Sequence, residues 1–200
     1  MSNEKIEDIC NFYNIRNYTI NDDGSIDVNG DVFMKNYDDS LTEIPLSFNY
    51  VSGGFYCYDQ ELTTLKGAPK KTGGNFECGG NKLTSLEYCP TEVGGMFECG
   101  ENKLTSLKGC PIKVVGSFEC DDNQIRDIEG ISKEIGKNFC CSNNPIGSIF
   151  KVVDIAFLDA FRIYKVIKDD QVDLKRLKYV MSIFNRSINL EEIKKHYTIV

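Results

Sequence analysis

The residues of this 200-residue chain that could do chemistry are nine cysteines, a single histidine and a set of recurring acids. Thiols can attack, bind zinc or form disulfides, and each use demands a spacing. A zinc site needs a Cys-x2-Cys pair feeding a second pair or a histidine. Here the cysteines stand at 10, 57, 78, 89, 99, 110, 120, 140 and 141, and His196 is the lone imidazole, so that set is missing. Cys140 and Cys141, adjacent on a strand, should point to opposite faces, which works against shared ligation. The segment Asn21–Gly24 lacks the alternating carboxylates and closing Glu of a calcium loop, and no G-x-S-x-G, G-x-x-x-x-G-K or HExxH occurs. No enzyme activity, metal or cofactor is expected.

What the cysteines share is a period. Cys57, Cys78, Cys99, Cys120 and Cys141 are each 21 residues apart, and two places ahead of them run Phe55, Phe76, Phe97, Phe118 and Phe139. Leu41, Leu62, Leu83, Leu104, Ile125 and Ile146 form a further column, and Ile44, Leu65, Leu86, Leu107, Ile128 and Ile149 another. Self-similarity at a fixed short period is the mark of a solenoid, in which each unit buries its apolar face only by stacking on its neighbours. The thiols, including the shorter column Cys89 and Cys110, therefore read as reduced packing positions, small hydrophobes in effect.

Within a copy, Phe-x-Cys has period two and predicts a very short strand with Phe and Cys inward. A glycine pair precedes it (Gly53-Gly54, Gly73-Gly74, Gly94-Gly95), suited to a tight entry. After the strand comes Asn81, Asn102, Asn123 or Asn144, with Gln60 in the first full copy. A buried amide there can bond the backbone of its own turn and of the neighbouring one, giving a ladder along the stack. Leu-Thr-Ser-Leu then turns two apolar side chains inward, and Pro69, Pro90 and Pro111 fix the return path on the outer side.

The string N-x-L-T-S-L-x-x-x-P-x-x-V followed by a short strand resembles the leucine-rich repeat, especially the short bacterial type of the IpaH and YopM effectors. The Gly-Gly-x-Phe-x-Cys variant, with the leader NYTINDDGSIDVNGDV, looks like leucine-rich repeat proteins encoded by tailed bacteriophages. The resemblance covers roughly residues 17–150. Phe and Cys replace the usual strand leucines, and Ser132 stands where Pro would be, which suggests that the stack is ending. The resemblance implies an α+β repeat: a short leucine-rich repeat solenoid with 21-residue turns, parallel strands on the concave face and helical caps at both ends.

The ends fit that scheme. Ile6, Ile9, Cys10 and Tyr13 predict an amphipathic helix over 2–14, starting near Ser2. Asp23-Gly24 and Asn29-Gly30 each predict a hairpin turn, and Met34 occupies the Phe column in a degenerate first copy. Beyond 151, helical spacing takes over: Asp154 capping a helix to about Ile167, a second from about Asp173 to Phe184, and a third after Asn189. The expected organisation is 1–31 as an N-terminal helix and hairpin cap, 32–150 as five to six solenoid turns, and 151–200 as a helical cap. These last 50 residues contain no cysteine and are too few for the ubiquitin-ligase domain that the IpaH likeness would otherwise bring.

Net charge is -7, unevenly spread: residues 1–52 carry 3 bases and 10 acids, 53–150 carry 10 and 13, and 151–200 carry 10 and 7. An acidic body argues against direct nucleic-acid binding, since phosphate contacts need Lys and Arg. No secretory-type start and no run of 18 apolar residues is seen, so a cytoplasmic protein with no membrane role is expected. The acids fall on the grid. Outward strand positions are Tyr56, Glu77, Glu98, Glu119 and Cys140 after each Phe, and Asn75, Met96 and Asn138 among those before it; Tyr58, Glu101, Asp121 and Asp122 lie just beyond. With strands about 4.8 Å apart these form a surface roughly 20 Å long, aromatic at one end and acidic through the middle. Like charges in line repel. A docking face for a basic surface on a host or bacterial protein is expected, and the phage resemblance implies inhibition of a defence or nucleic-acid-processing factor in the host cytoplasm. The last 50 residues read as a helical cap on the last repeat or, on a second reading, as a separate partner-binding bundle using Lys165, Lys168, Lys175, Arg176 and Lys178. The alternative function is a structural or assembly protein that self-associates or scaffolds through the cap helices.

Overall fold

A computed structural model gives the fold and describes residues 1–35 and 40–200. The chain is wound as a β-solenoid of about five turns with 21-residue spacing. Each coil supplies a short strand to each of two sheets. In the first, the Phe sheet, Val32–Phe33, Phe55–Tyr56, Phe76–Glu77, Phe97–Glu98, Phe118–Glu119 and Asn138–Cys140 pair in parallel, and Val152–Asp154 closes the end antiparallel. In the second, the Val sheet, the order is Tyr18–Ile20, Ile26–Val28, Phe48–Val51, Lys71–Thr72, Glu92–Val93, Lys113–Val114 and Glu134–Ile135, parallel except for the first pair.

The Val sheet is the main departure from the sequence expectation, which placed one strand in each coil. Its two-residue strands bury Thr72, Val93, Val114 and Ile135 and expose Lys71, Glu92, Lys113 and Glu134. Pro69, Pro90 and Pro111 lead into these strands and are buried, not set on the outside. The glycine pair is the corner between the sheets. A Cβ on Gly74 would sit 2.8 Å from the carbonyl carbon of Gly53 and the nitrogen of Gly54, so backbone stacks directly on backbone there. Asp23-Gly24 does turn a hairpin, but Asn29-Gly30 does not: it is the same corner, sending the chain from Ile26–Val28 to Val32–Phe33 in the other sheet.

The core is the set of columns read from the sequence. Phe55, Phe76, Phe97, Phe118 and Phe139 are all fully buried, with successive ring centroids 5.6, 5.8, 4.9 and 5.5 Å apart. Cys78, Cys99 and Cys120 are equally buried, and each Sγ donates to the strand carbonyl of the next coil, Glu98, Glu119 or Cys140, at 3.3–3.5 Å. Each of these carbonyls already accepts the N–H of the same cysteine, so the thiol fills space and adds a second, weak donor. Cys89 and Cys110 are half-buried at the loop surface and donate to Gly109 and Gly130 carbonyls. The asparagine ladder forms as expected. Asn81 Oδ1 accepts from Leu62 N–H of the preceding coil at 3.0 Å, while its Nδ2 donates to Cys57, Cys78 and Gly79 carbonyls at 2.9–3.1 Å. Asn102, Asn123 and Asn144 repeat the pattern.

At the N-terminus α1 (Asn3–Phe12) is capped by Ser2 and packs Ile6 and Cys10 into the core. At the other end Phe150 follows Phe139 in the aromatic column and meets Phe157 and Phe161, each at 5.1 Å. These belong to α2 (Ile155–Ile163), capped by Asp154. That helix stops short of the expected Ile167, because Lys165 adopts φ +46° and Val166 turns into the core. A three-stranded sheet not foreseen from sequence follows, Ile167–Lys168, Gln171–Val172 and Thr198–Ile199, around α3 (Leu174–Ile183, capped by Asp173) and the short α4 (Leu190–Ile193, capped by Asn189). Arg126 ties the last coil to this cap, reaching Asp170 at 2.7 Å and the His196 carbonyl at 2.6 Å, and the Tyr197 hydroxyl returns a bond to the Arg126 carbonyl. Among the described residues no helix is long and apolar enough to cross a membrane.

Candidate docking face

Parallel pairing without a register shift brings the residue after each Phe into one row on the outside of the Phe sheet. The row runs Phe33, Tyr56, Glu77, Glu98, Glu119, Cys140 and, on the antiparallel closing strand, Val152. Phe33 and Val152 are exposed, and the residues between them are half-buried. Phe33 and Tyr56 stack at 4.6 Å with 9° between their planes, and Lys35 Nζ lies 5.2 Å from the Tyr58 ring centre. Asn75 and Met96 flank the row, half-buried, and Asn138 is exposed. Beyond each strand the chain takes a left-handed turn at Asp59, Gly80, Glu101, Asp122 and Asn143, which sets Glu101 and Asp122 out in solvent.

The acids in the row are not equivalent. Glu98 lies along the sheet: Oε2 accepts from Gly79 N–H at 3.0 Å and Oε1 from Gly100 N–H at 2.7 Å. A Cβ at residue 79 would come within 2.5 Å of that carboxylate, so the glycine makes its seat. Burial, outweighing those two hydrogen bonds, pushes its pKa up to about 7, with Glu77 and Glu119 adding repulsion. Glu119 is raised too, mainly by burial and then by Asp121 and Glu77. Glu77 accepts from Asn75 Nδ2 at 3.1 Å. Asn75 Oδ1 in turn receives Met96 N–H, Asp121 receives Ser142 N–H, and Asp122 is reached by Asn143 Nδ2. Sequence reasoning placed these side chains on one face but gave no sign that Glu98 and Asp121 also hold backbone. The signal available was Gly79 and Gly100, two glycines on the grid beside the strand.

The Val sheet offers an internal comparison. Its outward row is Tyr50, Lys71, Glu92, Lys113 and Glu134, alternating in sign, with Lys71–Glu92 at 2.8 Å and Lys113–Glu134 at 2.9 Å. Glu92 is held below the ordinary carboxylate range by Lys71. The same 21-residue step gives Glu61–Lys82 at 2.9 Å and Lys108–Glu129 at 3.2 Å. No Lys or Arg among the described residues pairs with Glu77, Glu98 or Glu119. One face thus pairs its charges across the coils, and among the described residues the other does not.

Elsewhere, burial raises the pKa of the core thiols, which keeps them protonated and unreactive at neutral pH. Among the described residues no cluster of three metal-ligating side chains exists. A cleft of about 590 Å³ between the last coil and the cap is lined by Asp127, Glu129, Arg162 and Lys165 over Ile128 and Phe161, with no hydroxyl, thiol or imidazole among its walls. The chain matches no protein-family model, no curated protein and no solved structure.

Proposed function

We propose that the protein is a non-catalytic docking module, a solenoid of the leucine-rich-repeat type whose Phe-sheet face receives a basic surface of another protein. One observation carries this reading: Glu77, Glu98 and Glu119 stand in register with no Lys or Arg paired to them among the described residues, on a molecule that pairs Lys with Glu across the coils of its other sheet. Holding like charges together costs stability that alternation would recover. A cationic partner supplies the missing charge, and Phe33, Tyr56, Tyr58 and Met96 offer apolar anchors around it. In the finer form of this reading the protein is a phage product acting in the host cytoplasm. It would inhibit a defence or nucleic-acid-processing factor by presenting carboxylates where phosphates would lie.

The test replaces Glu77 and Glu119 by Lys and leaves Glu98, whose carboxylate holds two backbone amides. Glu77→Lys/Glu119→Lys should fold normally, bind a deca-lysine peptide at least tenfold more weakly than the native protein, and lose host proteins cross-linked through a photoreactive group at residue 96. Unchanged peptide affinity and an unchanged cross-linking pattern would refute the reading.

A further inference from the structure

The C-terminal cap exposes an apolar patch that the solenoid does not use. Ile163 at the end of α2 is 74% exposed, and Tyr164, Tyr179 and Ile183 are 37%, 51% and 51% exposed. Tyr164 and Tyr179 meet edge to face at 4.9 Å, joining α2 to α3, and Ile183 lies one turn along α3 from Tyr179. Exposed large apolar side chains that adjoin one another mark an interaction surface more reliably than scattered ones. Lys165, Lys175 and Lys178 border the patch, exposed, and make no ion pair among the described residues. Two other cations nearby are paired: Arg162 holds Asp159 at 2.6 Å and Arg176 holds Asp173 at 3.1 Å.

A patch of this kind pairs poorly with itself. Two caps face to face would bring the three lysines of each copy together, while the acids beside them, Asp159 and Asp173, already hold Arg162 and Arg176. Its complement must be acidic and partly apolar, and such a surface is present on the molecule. The Phe-sheet row has three glutamates in its middle, Phe33 (55% exposed) and Tyr56 at one end, and Val152 (44% exposed) at the other.

We propose that the cap of one copy docks on the Phe-sheet face of a second copy, with α3 lying along the row so that Lys175 and Lys178 lie over the stretch between Glu77 and Glu119 and Tyr179 and Ile183 pack beside them. This rests on the docking reading of that face and names the cap as a partner it accepts. The two surfaces are different patches, so the contact is heterologous: each copy retains a free cap and a free face, and assembly grows with concentration unless a ring closes.

Sedimentation velocity over a range of concentrations tests it. In low salt the native protein should show a mass rising past that of a dimer, returning to the 22.6 kDa monomer in high salt. Lys175→Ser/Lys178→Ser/Tyr179→Ser removes the cap surface, and Glu77→Lys/Glu119→Lys removes the face. Each variant alone should be monomeric, and an equimolar mixture should form a dimer and stop there, because only one intact cap and one intact face meet. Circular dichroism of both variants guards against misfolding. A native protein that stays monomeric, or assembles undiminished by either variant, overturns the proposal, as does a mixture that stays monomeric. Deca-lysine binding separates the two levels: a monomer that still binds the peptide through Glu77 and Glu119 sinks the self-docking alone, whereas loss of both takes the docking reading with it.

Discussion

Replacing Asn102 by Ala tests how the coils are held to one another. In the native protein Asn102 Oδ1 accepts from Leu83 N–H at 2.9 Å, and Nδ2 donates to the carbonyls of Cys78 (3.1 Å), Cys99 (3.2 Å) and Gly100 (2.9 Å). The carbonyls do not become orphans on truncation. Cys78 O keeps Asn81 Nδ2, Cys99 O keeps Asn123 Nδ2, and Gly100 O keeps Gly80 N–H. Leu83 N–H has no second acceptor and lies in a fully buried residue. One stranded donor costs about 1–3 kcal/mol and the lost bonds about 0.5–1.5 kcal/mol each before water or relaxation recovers part, so a loss of about 2–4 kcal/mol is expected. Gln60→Ala is the internal control. Gln60 accepts from the half-buried Leu41, which water can reach, and its donated bonds are 2.7 and 3.4 Å, so about 1 kcal/mol should be lost. Urea unfolding followed by far-ultraviolet circular dichroism measures both. Equal and small losses would mean that the ladder accompanies the stack without holding it, and that packing of the Phe and Leu columns suffices.

Two further outcomes follow from the same geometry. Phe97→Ala empties the middle of the ring column and should cost about 3–5 kcal/mol, whereas Ser117→Ala, half-buried on the outer face beside it, should change stability by less than about 0.5 kcal/mol; comparable losses would place the core on the wrong side of the strand. Glu98 should make stability depend on pH. Its pKa of about 7 in the folded chain exceeds the ordinary 4.5, so the native state binds the extra proton between those values and the stability that Glu98 contributes falls as pH rises from about 4.5 to 7. The full span is roughly 3 kcal/mol. The stability difference between the native protein and Glu98→Ala should shrink over that range; a difference flat in pH would refute the buried carboxyl.

Much of this molecule is written in the chain. The 21-residue period, the inward Phe and Cys, the asparagine ladder and the helix caps at Ser2, Asp154, Asp173 and Asn189 all rest on interactions between near neighbours or on a repeat that makes every coil its own witness. What the sequence could not settle are choices of partner made across longer distances. A strand of two residues, such as Lys71–Thr72, is too short to show alternation, so the Val sheet emerges only when coils stack and Thr72, Val93, Val114 and Ile135 line up inside. Asn29-Gly30 has the chemistry of a hairpin, and its role as a corner is set by Val32–Phe33 pairing with Phe55–Tyr56. Gln171–Val172 finds Thr198–Ile199 across the whole of α3 and α4, a contact with no local signature. The state of Glu98 is likewise a product of assembly. By sequence it is one acid in a column of three, and only packing shows that its carboxylate is seated on the backbone amides of Gly79 and Gly100, because burial and hydrogen bonding depend on what neighbouring coils place around a side chain.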